Sequence, residues 1–386
     1  MEVRLFDKDV YAGDPHPMFT WLRANAPVFC DPETGVWALT RHADVVWAER
    51  QPHLFSNAPG SRPRTDPQPS MIDADDPYHG DQRRIVARGF TPKQMIRYEA
   101  HVHDVVERLL DRALGLGRFD VVREIARPLP MTLIGELLGA DPADFEQLQH
   151  WSDQMIRGAD GPENITDEVV TAAFAWGGWI TDVVAQRRQC PGDDLVSTLV
   201  RAEVGGRPID DDHVTGNALL LLVGGNETTR NVITGGLHAL LSNPSQWERL
   251  VADPELVPSA VEECLRWVSP ILNMNRTTTA DVEIRGTTIP AGSSVLMEYA
   301  SANRDEDVFD DPFELDVGRQ PNPHVAFGFG PHFCLGSSLA RLEIRATFEA
   351  LVRRAPGLRL ADPQATPAHG ASTFVRGMTA LEVIAP

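Results

Sequence analysis

Cysteine is scarce in this chain, cations are outnumbered and long apolar runs are missing; each shortage removes a class of protein. The four cysteines, Cys30, Cys190, Cys264 and Cys334, lie far apart among 386 residues. A disulfide framework would be denser, and no pair has zinc-knuckle spacing, so the pattern implies a reducing compartment. With 35 Lys+Arg against 55 Asp+Glu, a net charge of −20 opposes nucleic-acid binding, which needs a basic surface to neutralise phosphates. The same balance disfavours wholesale docking on an anionic membrane. No stretch approaches the roughly 18 consecutive apolar residues of a membrane span, and the longest candidate, residues 218–223, is far too short. The N-terminus has no apolar core flanked by basic residues, so no signal peptide is read there. The expectation is a soluble cytoplasmic protein without a membrane anchor. Internal repeats, heptads and linker-like composition shifts are also missing.

What is present is enough for a large core: 42% apolar residues and eight tryptophans argue against disorder despite the charge. Helical patterning covers roughly 77–268 and 335–354, while roughly 28–39, 275–299 and 357–386 read as β. Thr40 is placed to cap a helix running to about Arg50, and Asp210 and Asp211 to open the longest helix, which ends at Ser242 before Asn243-Pro244. Residues 59–69 (P-G-S-R-P-R-T-D-P-Q-P) form the one Pro-rich loop, long enough to serve as a lid. The fold class is mainly α with a small β portion, one large domain spanning 1–386.

The informative segment is Phe327-Gly328-Phe329-Gly330-Pro331-His332-Phe333-Cys334-Leu335-Gly336. Its glycines hold a tight loop before a helix, with Cys334 at the helix entrance. A thiolate there faces the positive end of the helix dipole and unpaired N–H groups, both of which stabilise S⁻. Phe327 and Phe333 would shield it from water, and such a protected thiolate suits an axial ligand to haem iron. A lone free cysteine is usually a packing residue. The pattern F-G-x-G-x-H-x-C-x-G, however, arises by chance only on the order of 10⁻⁸ per register, treating positions as independent draws from usage.

Two further patterns carry chemistry. Glu263-Cys264-Leu265-Arg266 places a carboxylate and a guanidinium on one helix face, where they can pair. In the long helix, Gly224-Gly225-Asn226-Glu227-Thr228-Thr229 puts two glycines in a helix interior, at a cost of about 1 kcal/mol each. Close packing explains such a pair; so does a local bulge that makes room at a functional site. His79-x-x-x-Arg83 adds a cationic pair on one face of another helix.

The cysteine loop matches the haem-binding loop of the cytochrome P450 family at every fixed position, and the chain resembles bacterial members from Asp14-Pro15 to Arg376-Gly377. The resemblance implies the cytochrome P450 fold and haem b, with Cys334 as the thiolate ligand of the iron and Phe327, Gly328 and Gly336 shaping its loop. It implies propionate contacts from His79, Arg83, Arg276 and His332. It adds Arg319, in Phe309-x-x-Pro312-Phe313-x-x-Asp316-x-x-Arg319, to a structural core triad with Glu263 and Arg266. The family's acid–alcohol pair falls on Glu227 and Thr228, which would bring protons to the reacting oxygen. The implied reaction inserts one atom of O₂ into a hydrophobic substrate, with electrons from a separate ferredoxin or flavodoxin and its NAD(P)H-dependent reductase. A basic face of Arg84, Arg88, Lys93, Arg97 and Arg345 would receive that donor.

By the same resemblance the substrate pocket draws on residues 56–71, 174–179, 219–222 and 269–274, with Leu219, Leu222, Val223, Gly224, Ile271, Leu272 and Phe374 as named candidates. These are mostly apolar with no obvious counter-charge, and the G-N-E-T-T-R-N string resembles actinobacterial members that hydroxylate sterol or lipid side chains; a steroid, terpenoid or lipid is expected. Two alternatives stay open: a haem-thiolate enzyme that uses peroxide or catalyses a non-oxygenating reaction, and a haem protein that only binds ligands or senses redox state.

Overall fold

The structure, a computed structural model, describes residues 2–386. Its centre is the helix Asp211–Ser242. Asp210 caps it by accepting the His213 N–H, and Asp211 and Asp212 sit in its first turn, where carboxylates complement the helix dipole. Helices Pro128–Leu138, Phe145–Gly158, Val257–Val268 and Ser337–Arg354 pack around it. Such a helix must be apolar on more than one face, and Val214, Ala218, Leu221, Leu222, Val232, Ile233, Leu237 and Leu240 are all buried. Gly236 earns its place by proximity: a Cβ there would lie 2.9 Å from Cys264 Cβ and Sγ. Cys264 is thus a packing residue between two helices.

The larger sheet has the strand order Val28–Cys30, Trp37–Leu39, Ser294–Glu298, Asn273–Thr278, Phe55–Ser56. All its pairings are antiparallel except that of Ser294–Glu298 with Trp37–Leu39. Alternation sets two faces. Leu296 and Leu272 join Phe19 and Leu22 in one cluster, whereas Val295 and Met297 join Leu39, Phe55 and Val325 in another. A second sheet brings the tail strands Glu382–Ile384 and Arg359–Leu360 beside Arg118–Asp120. This strand and the hairpin Glu203–Val204/Arg207–Pro208 interrupt the helical stretch expected over 77–268.

Local signals misplace two helix starts. The helix after Thr40 begins at His42 with Arg41 as N-cap residue, and the group that accepts the His42 N–H is Asp305 Oδ2 at 2.8 Å, 263 residues away. Thr40 instead donates its hydroxyl to Pro27 O. The helix expected from Leu335 begins at Ser337, because the loop around Cys334 runs on to Gly336.

Candidate active site

The loop before Ser337–Arg354 is built by backbone constraint. Gly328 and Gly330 take φ of 68° and 69°, left-handed values that cost side-chain-bearing residues energy. A Cβ on Gly330 would sit 2.2 Å from Glu49 O, so the loop touches the backbone at the end of helix His42–Glu49. Cys334 N donates to Phe327 O at 2.9 Å, closing the loop. Burial raises the Cys334 thiol above its ordinary value; the N–H groups of Gly336 and Ser337 and the cations Arg83 and Arg341 act against that. Helix-start donors therefore converge on the sulfur. Of the two aromatic shields, Phe327 is half-buried beneath Arg341, whose guanidinium carbon is 4.5 Å from the ring centroid. Phe333 is 38% exposed, so it forms surface rather than shield.

Beside this loop the proposed propionate partners gather. His79 and His332 stack with ring centroids 3.9 Å apart. Burial first, then Arg276, His79 and Arg83, push His332 down to about 2. Arg83 donates to Phe333 O and makes no salt bridge among the described residues. Arg276 is different: its Nη2 lies 2.9 Å from both oxygens of buried Glu49, which also accepts the Tyr299 hydroxyl, and its Nη1 donates to Asn275 O. Any further contact from Arg276 must use its remaining N–H groups. Burial, helped by the neighbouring cations, holds both histidines below their ordinary range, so the cluster's unpaired positive charge is that of Arg83, and two buried carboxylates would supply the counter-charge it lacks.

The long helix carries the Gly224–Thr229 segment. The helix is continuous α across it, so the expected bulge is not there, and the opening comes from missing side-chain volume instead. Gly224 is exposed although it lies midway along a largely buried helix, and a Cβ on it would meet nothing within 4 Å. Half-buried Leu220 and Thr228, one turn to either side, share its face. Thr228 Oγ1 donates to Gly224 O at 2.9 Å. Glu227 is buried, paired through one oxygen with Arg230 and unpartnered at the other. Burial raises its carboxyl above the ordinary range, with Arg230 opposing. Arg230 continues to Asp153 at 2.9 Å, and Asp153 to half-exposed Arg127 at 2.6 Å.

Glu263, Arg266 and Arg319 meet in the core. Arg266 donates to the two Glu263 oxygens at 2.7 and 2.8 Å, and to the carbonyls of Asn303, Pro312 and Glu314. Arg319 Nε lies 3.2 Å from both Glu263 oxygens, and Asn322 and the Asp316 N–H complete the carboxylate's shell.

The pocket candidates separate by burial. Leu219, Val223 and Ile271 are half-buried, whereas Leu222 and Leu272 lie in packed cores of opposite halves of the molecule. In segment 174–179, Trp176 packs on Trp151 and Trp179 while Phe174 points outward, 78% exposed. The Pro-rich loop is pinned at both ends. Asn275 N donates to Ser61 O, Met71 N donates to Asn217 Oδ1, and Pro69 O approaches Gly216 so closely that a Cβ there would clash at 2.3 Å. It thus bridges the strand Asn273–Thr278 and the long helix, and from within it Arg62 reaches to 3.5 Å from the ring centroid of Phe374, which is buried.

Glu49, Tyr299 and Asp153 were not among the sequence candidates, and Arg62 lies in the 56–71 segment without having been singled out. Arg230, three residues after Glu227, had a helical-spacing signal; Glu49, Tyr299 and Asp153 reach the site only through the fold.

The family model described as Cytochrome P450 matches residues 183–355. A steroid C26-monooxygenase of Mycolicibacterium smegmatis is 43% identical over 99% of this chain and 96% of its own length. A methyl-branched lipid omega-hydroxylase of Mycobacterium bovis is 40% identical over 98% and 91%. Among solved structures, a Mycobacterium marinum cytochrome P450 in complex with pseudoionone superimposes with a TM-score of 0.89 at 34% identity, covering 100% of both chains.

Proposed function

The chain belongs to the cytochrome P450 family, and from that premise we propose how its residues divide the work of a haem monooxygenase on a lipophilic substrate. The whole of 1–386 acts as one unit holding haem b. The carrying observation is the convergence of Cys334, with N–H donors aimed at its sulfur, and a cationic cradle drawn from three separate segments. Cys334 would hold the iron, and His79, Arg83, His332 and the free N–H groups of Arg276 the propionates. When bound, haem supplies O₂ activation, and a thiolate ligand favours O–O cleavage.

The remaining roles are the protein's own. The open face at Gly224 leaves room for a bound molecule beside the helix. Thr228 holds a hydroxyl proton at its edge, parked on Gly224 O until a better acceptor arrives. Glu227 is poised to pass protons inward, since burial favours its protonated form, and Arg230 and Asp153 connect it towards the surface. The substrate class is a steroid or branched lipid oxidised on its side chain, in keeping with what the named relatives act on. Electrons come from a separate ferredoxin or flavodoxin and its reductase, in the cytoplasm.

With ferredoxin, reductase and NAD(P)H, the wild type should convert a sterol side chain and show a thiolate-type carbon-monoxide spectrum when reduced. Cys334→Ser should lose both. Thr228→Ala should keep the spectrum but yield less product per NAD(P)H consumed, by about 10²-fold if its proton step resembles other general acid–base contributions. A histidine-type spectrum in the wild type would sink the assignment of Cys334. Turnover with peroxide alone would favour the peroxygenase alternative, and spectral binding without turnover the sensor.

The donor's landing face is Arg84, Arg88, Lys93 and Arg97, all exposed, around exposed Ile96. Arg345 is tied to Glu99 and Glu349, so its charge is offset. Neutralising Arg88, Lys93 and Arg97 together should slow ferredoxin-supported turnover while leaving peroxide-supported turnover alone. Equal rates with ferredoxin would remove the face.

A further inference from the structure

The helix Asp167–Gln189 packs on Phe145–Gly158, Leu195–Val200 and Asp211–Ser242. Its inward side carries Val169, Ala172, Trp176, Ile180 and Val184, which recur every third or fourth residue and are buried. No charged residue occurs from Val169 to Thr181, so the outward side of the same turns is uncharged too. Helical phase places Val170, Phe174, Gly178, Thr181 and Ala185 there, all exposed, with half-buried Gly177 at the edge. Thr181 donates its hydroxyl to Gly177 O, so no unsatisfied hydroxyl interrupts the stripe.

Two adjacent glycines weaken a helix interior, and the protein's own packing gives no reason for these. A Cβ at Gly236 would strike Cys264, whereas a Cβ at Gly177 or Gly178 would meet nothing within 4 Å. The pair leaves a gap one turn from the projecting Phe174 ring, a hole beside a knob. Charge adds a direction. Asp167 and Glu168 open the helix, and Arg187 and Arg188 close it. Arg187 is tied inward to Asp194, but Arg188 is exposed and uses only Nη2, on Asp211.

A two-fold axis between Gly177 and Gly178 therefore maps this face onto itself. Against an antiparallel second copy, Phe174 meets Thr181 beside the glycine gap, Val170 meets Ala185, and Asp167 meets the free N–H groups of Arg188. Self-complementarity of this kind is what a symmetric dimer requires. A parallel pairing would set acid against acid. An anionic membrane would be repelled by Asp167, Glu168 and Asp182 and by the net charge of −20.

We propose that the outward face of Asp167–Gln189 is a homodimer interface, in which two copies of this helix cross antiparallel at Gly177–Gly178. Two helices meeting alone bury less than the roughly 1,200 Å² of a stable interface, so the dimer is weak and reversible, with a Kd on the order of 10 µM. Nothing in this proposal depends on the bound cofactor or on the substrate.

Sedimentation velocity of the haem-loaded enzyme, from about 1 to about 500 µM, brackets that affinity and should show a concentration-dependent dimer. Phe174→Asp should raise Kd about 100-fold, since it removes two central aromatic anchors per dimer, while the carbon-monoxide spectrum stays unchanged. Gly178→Leu should also weaken the dimer, because it fills the crossing; a stronger dimer there would mean loose apolar association and overturn the close crossing. With Val170→Cys and Ala185→Cys combined, oxidation should link two chains, and neither single variant should do so. A monomer throughout overturns the proposal, as does a dimer indifferent to Phe174→Asp. Cross-linking by either single variant as efficient as by the pair overturns the antiparallel register. A monomer that binds phosphatidylcholine vesicles through Phe174 overturns it in favour of a lipid surface.

Discussion

Arg266 and Arg62 are both arginines enclosed by protein, and their surroundings differ in one respect: pairing. Arg266, 0% exposed, has its charge matched by Glu263 and its other N–H groups taken by three carbonyls. Arg62 has Asn273, an aromatic face, more distant carboxylates and a buried Nε without a partner. A saturated buried cation is part of the fold, since removing it strands every partner it satisfied. One that is only partly satisfied strands fewer. The core around Glu263 and the loop around Arg62 thus differ in how completely the protein satisfies an enclosed cation.

The largest effect that could break this comparison comes from making the same substitution at both sites. Arg266→Met should lower stability by roughly 3–5 kcal/mol, because it leaves Glu263 and three carbonyls short of donors. Arg62→Met should cost no more than about 1–2 kcal/mol, the worth of two neutral-acceptor hydrogen bonds and a cation–π contact. Urea denaturation midpoints measure both; similar losses would mean that Arg62 is as structural as Arg266.

A pH-dependent effect sharpens the Arg62 side alone. The Glu298 carboxyl is raised from 4.5 to about 8, with Arg62, Asn273 and Tyr11 as its polar and titratable neighbours. Between those values the folded chain keeps a proton that the unfolded chain releases. Its contribution is therefore complete below about 4.5 and is lost as pH rises through about 8. Stability should decline by roughly 5 kcal/mol over that window. Glu298→Gln should flatten the slope; an unchanged slope would show that Glu298 is ionised and already pairs electrostatically with Arg62.

Much of the cysteine loop and of the Glu263–Arg266 pair was legible in the chain because both are local. Three glycines, a cysteine and a helix start within ten residues constrain one another whatever surrounds them, and E-x-x-R is one turn of helix. The long helix was legible from Asp210 to Ser242 through its cap and its terminating Asn-Pro. The bulge read from Gly224-Gly225 did not form: the helix stays α, and the glycine makes room by what it lacks. Thr40 looked like a cap, but a carboxylate from another segment took the position. Leu222 and Leu272 shared the apolar character of the pocket candidates, and only helix phase and strand alternation turned them into the packed cores.

By itself, then, the sequence determined the family, the helix-rich class and the position of Cys334, because those depend on spacing within single segments. Tertiary structure alone decided which charges meet. Glu49 finds Arg276 across 227 residues, and Arg62 finds Asn273 across 211. A guanidinium reads the same in a sequence whether it is satisfied or not; only the packed chain shows which of its N–H groups have partners and which do not.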